Sequence, residues 1–195
     1  MSPTEPIEQR LSRWLAWASG AMILFGCGGL ITLDVVTRAF AKRTVVESFE
    51  FAGYAFGAAI AWSFAYAFAS KANVRVDLIV VRLPHRLRAL LDLVATATLL
   101  GFAIALAWYG TGTFLQSWAL DARAVSVLQT PLIWPQGLWV AGLIWLAVVA
   151  AITTLRAAVG FAQGDLHAVD RLIGNPRVEE EIEHAGRPTG PEIVQ

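Results

Sequence analysis

Four long runs without any Asp, Glu, Lys or Arg divide the sequence. They cover residues 14–33, 51–70, 93–120 and 124–155, which hold 100 of the 195 residues. At a rise of about 1.5 Å per residue, even a run of about 20 residues covers the roughly 30 Å hydrocarbon core of a bilayer. Strands of a membrane barrel alternate apolar and polar residues, whereas residues 99–106 include no polar side chain. The pattern predicts an all-α membrane protein with four transmembrane helices.

The residues that flank these runs set the expected boundaries. Pro131 and Pro135 interrupt the last run, so residues 124–134 are predicted to form an outer interfacial stretch rather than helix. The polar, Glu-rich composition after the last run is typical of a disordered tail. The predicted division is an amino-terminal segment 1–13, a membrane domain 14–156 with spans at about 14–37, 48–69, 85–116 and 135–156, and a cytoplasmic tail 157–195.

Lys and Arg in the short connections predict the orientation of the chain. With the amino terminus in the cytoplasm, eleven of these residues lie inside and four outside. Both termini are therefore expected to be cytoplasmic.

The connection between the second and third helices, residues 71–92, interleaves apolar and basic side chains. Such a segment suits a membrane-surface amphipathic arm, and Pro84 ends the arm or opens the third helix. Asp77 is expected to neutralise one of the nearby basic groups. The remaining basic side chains would meet anionic lipid headgroups, namely Arg75, Arg82, Arg86 and Arg88.

A ridge of small residues recurs every four positions along the second predicted helix. Such a ridge allows another backbone to approach closely, and the spacing alone leaves open whether the neighbour belongs to this chain or to another subunit. Gly57→Leu is therefore expected to disturb the bundle or its assembly. The ridge consists of Gly53, Gly57, Ala61, Ala65 and Ala69, and the Gly53–Gly57 pair is its tightest part.

Charged residues at the helix ends have two readings. Asp34 and Arg38, four residues apart, form either a simple helix-end pair or a contact with another subunit. Glu50 either caps the first turn of the second helix, favoured by the helix dipole, or contacts a partner. The single cysteine, Cys27, is read as a small packing residue, although residues 24–27 also resemble a lipobox.

The signs of catalytic or redox chemistry are missing from the sequence. The four runs contain no His that could bind a haem and no charged residue that could form an ion pathway. Neither a phosphate-binding loop nor a hydrolase motif is present. Fifteen basic residues balance fifteen acidic ones, so no net field attracts nucleic acid. We expect a non-enzymatic supporting subunit without a metal, cofactor or substrate site.

Several short motifs, in this order, resemble the small membrane subunit of tripartite ATP-independent periplasmic (TRAP) transporters, the DctQ-like family. The resemblance covers about residues 14–156, although the family usually has His at the position of Asn73 and Gly at that of Ser63. The motifs are the charged end of helix one at 34–38, Glu50 at the start of helix two, Asn73, Arg75 and Asp77 within 73–78, Pro84 and Arg88 within 83–88, and Trp134 and Pro135 at the end of 131–135.

The resemblance implies a role beside two partners. A large DctM-like membrane subunit would carry the sodium and solute sites and move as an elevator, and a periplasmic DctP-like binding protein would deliver an organic acid for symport. This chain would enlarge the immobile scaffold. The alternatives are the small four-span subunit of a tripartite tricarboxylate transporter and the membrane anchor of an enzyme or redox complex. The expected interface or structural positions are the charged helix ends, the ridge residues Gly53, Gly57 and Ala61, and the motif residues.

Overall fold

A computed structural model describes residues 6–41, 48–71, 83–126 and 128–174. Their regular structure is helical, apart from one isolated bridge between Arg123 and Pro131. The elements in chain order are α1 (Ile7–Ala21), a π-helical segment (Met22–Cys27), α2 (Gly28–Ala41), α3 (Ser48–Ala69), α4 (His85–Ala119), α5 (Ile133–Ala162) and α6 (Leu166–Ile173).

In the described part of the chain, four helices are long and apolar enough to cross a membrane: the first span (Ile7–Phe40, comprising α1, the π-helical segment and nearly all of α2), α3, α4 and α5. The predicted all-α architecture with four spans is thus confirmed. The helical bounds of α3 match the expected 48–69, while the other helices run past their expected ends. The 35 residues of α4 extend about 52 Å. The helix is longer than the apolar layer because its backbone hydrogen bonds continue beyond that layer.

The four spans form a row rather than a closed square. Helix α5 packs against α4 on one side and α3 on the other, and the first span packs against α3. The first span and α4 are therefore the two edges of the row. The short helix α6 contacts α4 and α5 at one end of the bundle, which we call the α6 end.

Small residues build the contacts on both sides of α5. A Cβ atom added at Gly142 would lie 2.9 Å from the Cβ atom of Ala61 in α3, and one added at Gly110 would lie 3.3 Å from a methyl carbon of Leu143. Close packing of this kind is how membrane helices associate without a hydrophobic driving force. Positions seven residues apart on α4, a spacing typical of nearly aligned helices, are buried: Ala89, Thr96, Ala103, Gly110 and Ser117.

The first span widens into its π-helical segment in a glycine-rich region. The N–H of Gly28 donates to the carbonyl of Ile23, five residues earlier. Gly26, Gly28 and Gly29 have low helix propensity, so they stabilise the α-helix only weakly. Within the segment, the buried Cys27 donates from Sγ to the carbonyl of Ala52 at 3.6 Å. Cys27 therefore packs against α3, in keeping with its reading as a packing residue.

Residues 157–174 differ from the tail expected over 157–195. Helix α5 continues to Ala162, the chain turns at Gly164 with a φ of +76°, and the Asp165 side chain accepts from the N–H of Ala168 at 2.9 Å to start α6. Val169 and Ile173 are buried in a cluster with residues of α4 and α5. A short apolar face therefore orders this part of the chain, and the composition averaged over the Glu-rich remainder hides it. Residues 175–195 lie outside the described part.

Candidate functional site

At the end of the bundle opposite α6, Asp34 joins the first span to α3. Asp34 is 6% exposed, and its carboxylate accepts at Oδ2 from Arg38 Nη2 at 2.7 Å and from Ser48 Oγ at 3.0 Å. The spacing of the first two residues predicted their pairing, but nothing in the sequence linked Asp34 to Ser48. Asp34 and Arg38 both have partners within this chain. The interpretation as a helix-end pair therefore accounts for their contacts.

Glu50 lies in the first turn of α3, where a carboxylate suits the helix dipole. Tyr54 donates its hydroxyl to Glu50 Oε1 at 2.7 Å. Ser126 and Thr130, from the connection between α4 and α5, lie beside the same carboxylate, although Glu50 Oε2 and Ser126 Oγ remain buried without a hydrogen bond of ordinary geometry. Glu50 thus lies between the start of α3 and the α4–α5 connection, with Tyr54 as its hydrogen-bond partner.

The small-residue ridge of α3 divides into two halves. Ala61 and Ala65 are buried, and Ala61 meets Gly142 of α5. Cβ atoms added at Gly53 or Gly57 would meet nothing within 4 Å in the described residues. The expectation that Gly53–Gly57 is the tightest part is therefore wrong for packing within this chain, because α5 crosses the ridge at Ala61.

The resemblance motifs between α3 and α4 are only partly visible. Asn73, Arg75 and Asp77 lie outside the described residues, as does the middle of the predicted arm. Pro84 precedes α4, and its carbonyl accepts from the N–H groups of Leu87 and Arg88 at 2.9 and 3.1 Å. The proline therefore opens the helix, which is one of the two roles that the sequence allowed.

The start of α5 also departs from the expected boundary. The helix begins at Ile133, so Trp134 and Pro135 belong to its first turn. A proline is tolerated there because first-turn N–H groups have no partner within the helix. The Trp134 ring is exposed, and it can reach the bilayer interface at this end of the bundle.

Polar contacts at the α6 end join residues that are distant in sequence. His85 Nε2 lies 2.8 Å from Asp170 Oδ2, and Lys71 Nζ donates to the Asp170 carbonyl at 3.1 Å. Arg156 pairs with Glu8 of α1. Sequence reasoning missed these contacts, since no periodicity relates residues from five separate segments. Together they tie both ends of the described chain to the bundle.

Polar side chains within the spans are mostly used for internal packing. The indole N–H of Trp62 donates to the Leu138 carbonyl, and that of Trp145 donates to Ser12 Oγ, each at 3.1 Å. Among the described residues no group of three His, Cys, Asp or Glu could hold a metal ion. The hydroxyls that donate to the carbonyl four residues earlier are those of Ser19, Thr32, Thr37, Thr96, Thr98, Thr111, Thr113 and Thr154.

Comparison with known families agrees with this arrangement. Residues 27–160 match the model of the family described as tripartite ATP-independent periplasmic transporters, DctQ component. The match covers more than half of the chain, from the end of the π-helical segment to near the end of α5. No curated protein matches the sequence.

Proposed function

The chain belongs to the DctQ family of tripartite ATP-independent periplasmic transporters, and from this premise we propose that it braces the large membrane subunit. In this role it supplies fixed helices against which the large subunit moves, and it holds no solute itself. It has no catalytic role.

One observation carries the bracing role: most polar groups within the described spans are directed to the chain's own backbone and side chains. Trp62 donates across the α3–α5 contact, and seven threonines donate to carbonyls of their own helices. A solute or ion site in a membrane needs polar groups directed into a shared cavity. Groups already bound in this way stabilise a rigid bundle instead.

The partners and the cargo follow from the family. We assign the sodium and solute sites to a DctM-like subunit, and the delivery of an organic acid to a periplasmic DctP-like protein. The family match favours this assignment over the subunit of a tricarboxylate transporter and over an enzyme anchor.

The orientation is proposed from the distribution of basic residues. Lys71, Arg86 and Arg156 lie toward the α6 end, whereas Arg38 and Arg123 lie toward the other end. The positive-inside rule then places the α6 end and both termini in the cytoplasm of a bacterial inner membrane. The basic residues of the segment 71–92 would face anionic lipids there.

The polar residues at the opposite end are proposed to be structural. Asp34 with Arg38 and Ser48 ties the end of the first span to the start of α3, and Glu50 with Tyr54 stabilises the first turns of α3. This rigidity would hold the ends of the helices in place while the large subunit moves.

Co-purification tests the assignment. The chain is tagged at its amino terminus, extracted from its native membrane in mild detergent and captured, and the captured proteins are identified by mass spectrometry. We expect a multi-span DctM-like subunit in about equal amount. A tagged unrelated four-span protein from the same membrane is the control. Capture of tricarboxylate-transporter subunits or of an enzyme in place of the DctM-like protein would overturn the proposal.

A further inference from the structure

The outward face of α4 carries polar aromatic side chains at the middle of the membrane. Trp108 is 76% exposed and Tyr109 is 75% exposed. On the same helix, Gly110 lies against Val140 and Leu143 of α5. The opposite side of α4 has no neighbour in the described part of the chain, because α4 is an edge of the row.

The depth of these two residues follows from the helix geometry. At 1.5 Å per residue, Trp108 lies roughly 24 Å along α4 from Asp92 and roughly 20 Å from Asp121. Leu143, at the level of Gly110, is likewise central in the charge-free part of α5. Neither aromatic ring can reach the headgroup region, where Trp and Tyr are ordinarily enriched.

At this depth, both polar groups lack a hydrogen-bond partner. Trp62 and Trp145 each donate their indole N–H to a partner within the chain. By contrast, within the described residues neither Trp108 Nε1 nor the Tyr109 hydroxyl has a hydrogen-bond partner. Lipid tails offer no acceptor, and an unsatisfied donor in hydrocarbon is unfavourable. These two groups therefore call for an acceptor from another protein.

The shape of this face fits a helix. An open groove of about 490 Å³ runs along α4 beside α5, lined by Ile104, Trp108, Gly112, Leu115 and Ala147 among others. A Cβ atom added at Gly112 would meet nothing within 4 Å. A glycine at the floor of such a groove lets a second backbone approach closely, which brings its carbonyl oxygens near the indole N–H.

We propose that a transmembrane helix of the large subunit packs along this face of α4, next to Trp108, Tyr109 and Gly112. The partner helix supplies small residues opposite Gly112. It also supplies hydrogen-bond acceptors, as polar side chains or carbonyls freed by a helix break, to Trp108 Nε1 and to the Tyr109 hydroxyl. The inference rests on the proposed function and adds to it the surface that meets the partner.

Site-specific photo-crosslinking tests the contact in the assembled complex. A photoreactive phenylalanine analogue replaces Ile104 or Leu115 on α4, or Leu24 or Phe25 on the first span, in four separate variants co-expressed with the large subunit. Leu24 and Phe25 are the matched controls, because they are exposed apolar residues at similar depth on the other edge. We expect the α4 variants to give at least ten times more adduct with the large subunit than the controls.

Conservative substitutions test the hydrogen bonds. Trp108→Phe and Tyr109→Phe keep an aromatic ring and remove the donor. Trp118→Phe is the control, since Trp118 lies near the end of α4, where water and headgroups satisfy an indole. We expect Trp108→Phe and Tyr109→Phe each to lower the yield of co-purified large subunit about three- to tenfold, with Trp118→Phe unchanged. The thermal stability of each isolated variant shows that folding is retained.

The outcomes separate this inference from the proposed function. If the unmodified chain captures no large subunit, both fall. If it captures the subunit while the adducts form from Leu24 and Phe25 only, or from α4 to a second copy of this chain, the α4 contact alone is overturned. Adducts from α4 together with unchanged yields for both donor-free variants would overturn the hydrogen-bonding step.

Discussion

The two edges of the helix row have the same architecture and different surfaces. The first span packs on α3 and α4 packs on α5, so each leaves one face without a neighbour in the described chain. Near mid-membrane the first span exposes Leu24 and Phe25, which are purely apolar, while α4 exposes Trp108 and Tyr109. Lipid hydrocarbon solvates the apolar side chains of the first span, but it offers no hydrogen-bond acceptor to the polar groups of Trp108 and Tyr109.

This difference separates a lipid-facing edge from a partner-facing one without reference to buried area. Both edges are apolar by composition, and both exceed the length needed to cross the bilayer. What distinguishes them is whether polar groups without a partner are exposed near mid-membrane. A membrane subunit that supports another protein is expected to show such an asymmetry.

The largest loss of stability is expected at the contact between α3 and α5, which lies between the two edges of the row. Gly142→Leu would force a side chain against the Ala61 backbone, whose carbonyl carbon is 3.0 Å from a Cβ atom at this position. We expect the free energy of unfolding in detergent to fall by about 3 kcal/mol. Gly57→Leu is the matched control, because its Cβ position is open, and it should leave the unfolding transition of the isolated chain unchanged. An equal loss in both variants would contradict the assignment of the tight contact to Ala61.

A donor exchange tests the comparison between the edges directly. Phe25→Tyr adds a hydroxyl at mid-depth on the lipid-facing edge and should lower the stability of the isolated chain in lipid by about 1–2 kcal/mol, since no acceptor is available. Tyr109→Phe removes such a group and should raise that stability by a similar amount. Reversible unfolding in bicelles measures both. The same sign for both variants would break the comparison.

The end of the first span that lies opposite α6 is expected to respond more weakly. Ser48→Ala removes the hydrogen bond from Ser48 Oγ to the buried Asp34 and leaves Arg38 as the partner of Asp34 Oδ2. The expected loss is about 1 kcal/mol. Ser70→Ala, at the exposed end of α3, is the control and should be neutral in the same unfolding experiment.

The smallest effect is expected where α6 meets α4. His85 and Asp170 form a partly exposed pair, so His85→Ala should change global stability by less than about 1 kcal/mol. Hydrogen exchange should nevertheless speed up in α6 alone, and α3 provides the internal reference. Faster exchange throughout the bundle would show that α6 is required for the whole fold.

The sequence predicted the spans well because the bilayer excludes charged residues from each span. This constraint acts along the chain and does not depend on which helices are neighbours. The Asp34–Arg38 pair was also readable, since four-residue spacing places both on one helical face. The contacts of Ser48 with Asp34, of Gly142 with Ala61 and of His85 with Asp170 were not readable, because they depend on which helices are neighbours in the row. Helix α6 was hidden for another reason: its apolar face is short and is followed by a strongly polar sequence.

The central claim is that the chain supports transport without carrying solute. Proteoliposomes are prepared with the chain alone, with the large subunit alone or with both. An inward sodium gradient is imposed, and uptake of radiolabelled organic acids is measured with the periplasmic binding protein present. The account predicts uptake above that of empty liposomes only when both subunits are present, and none for the chain alone. Sodium-dependent uptake by the chain alone would contradict it.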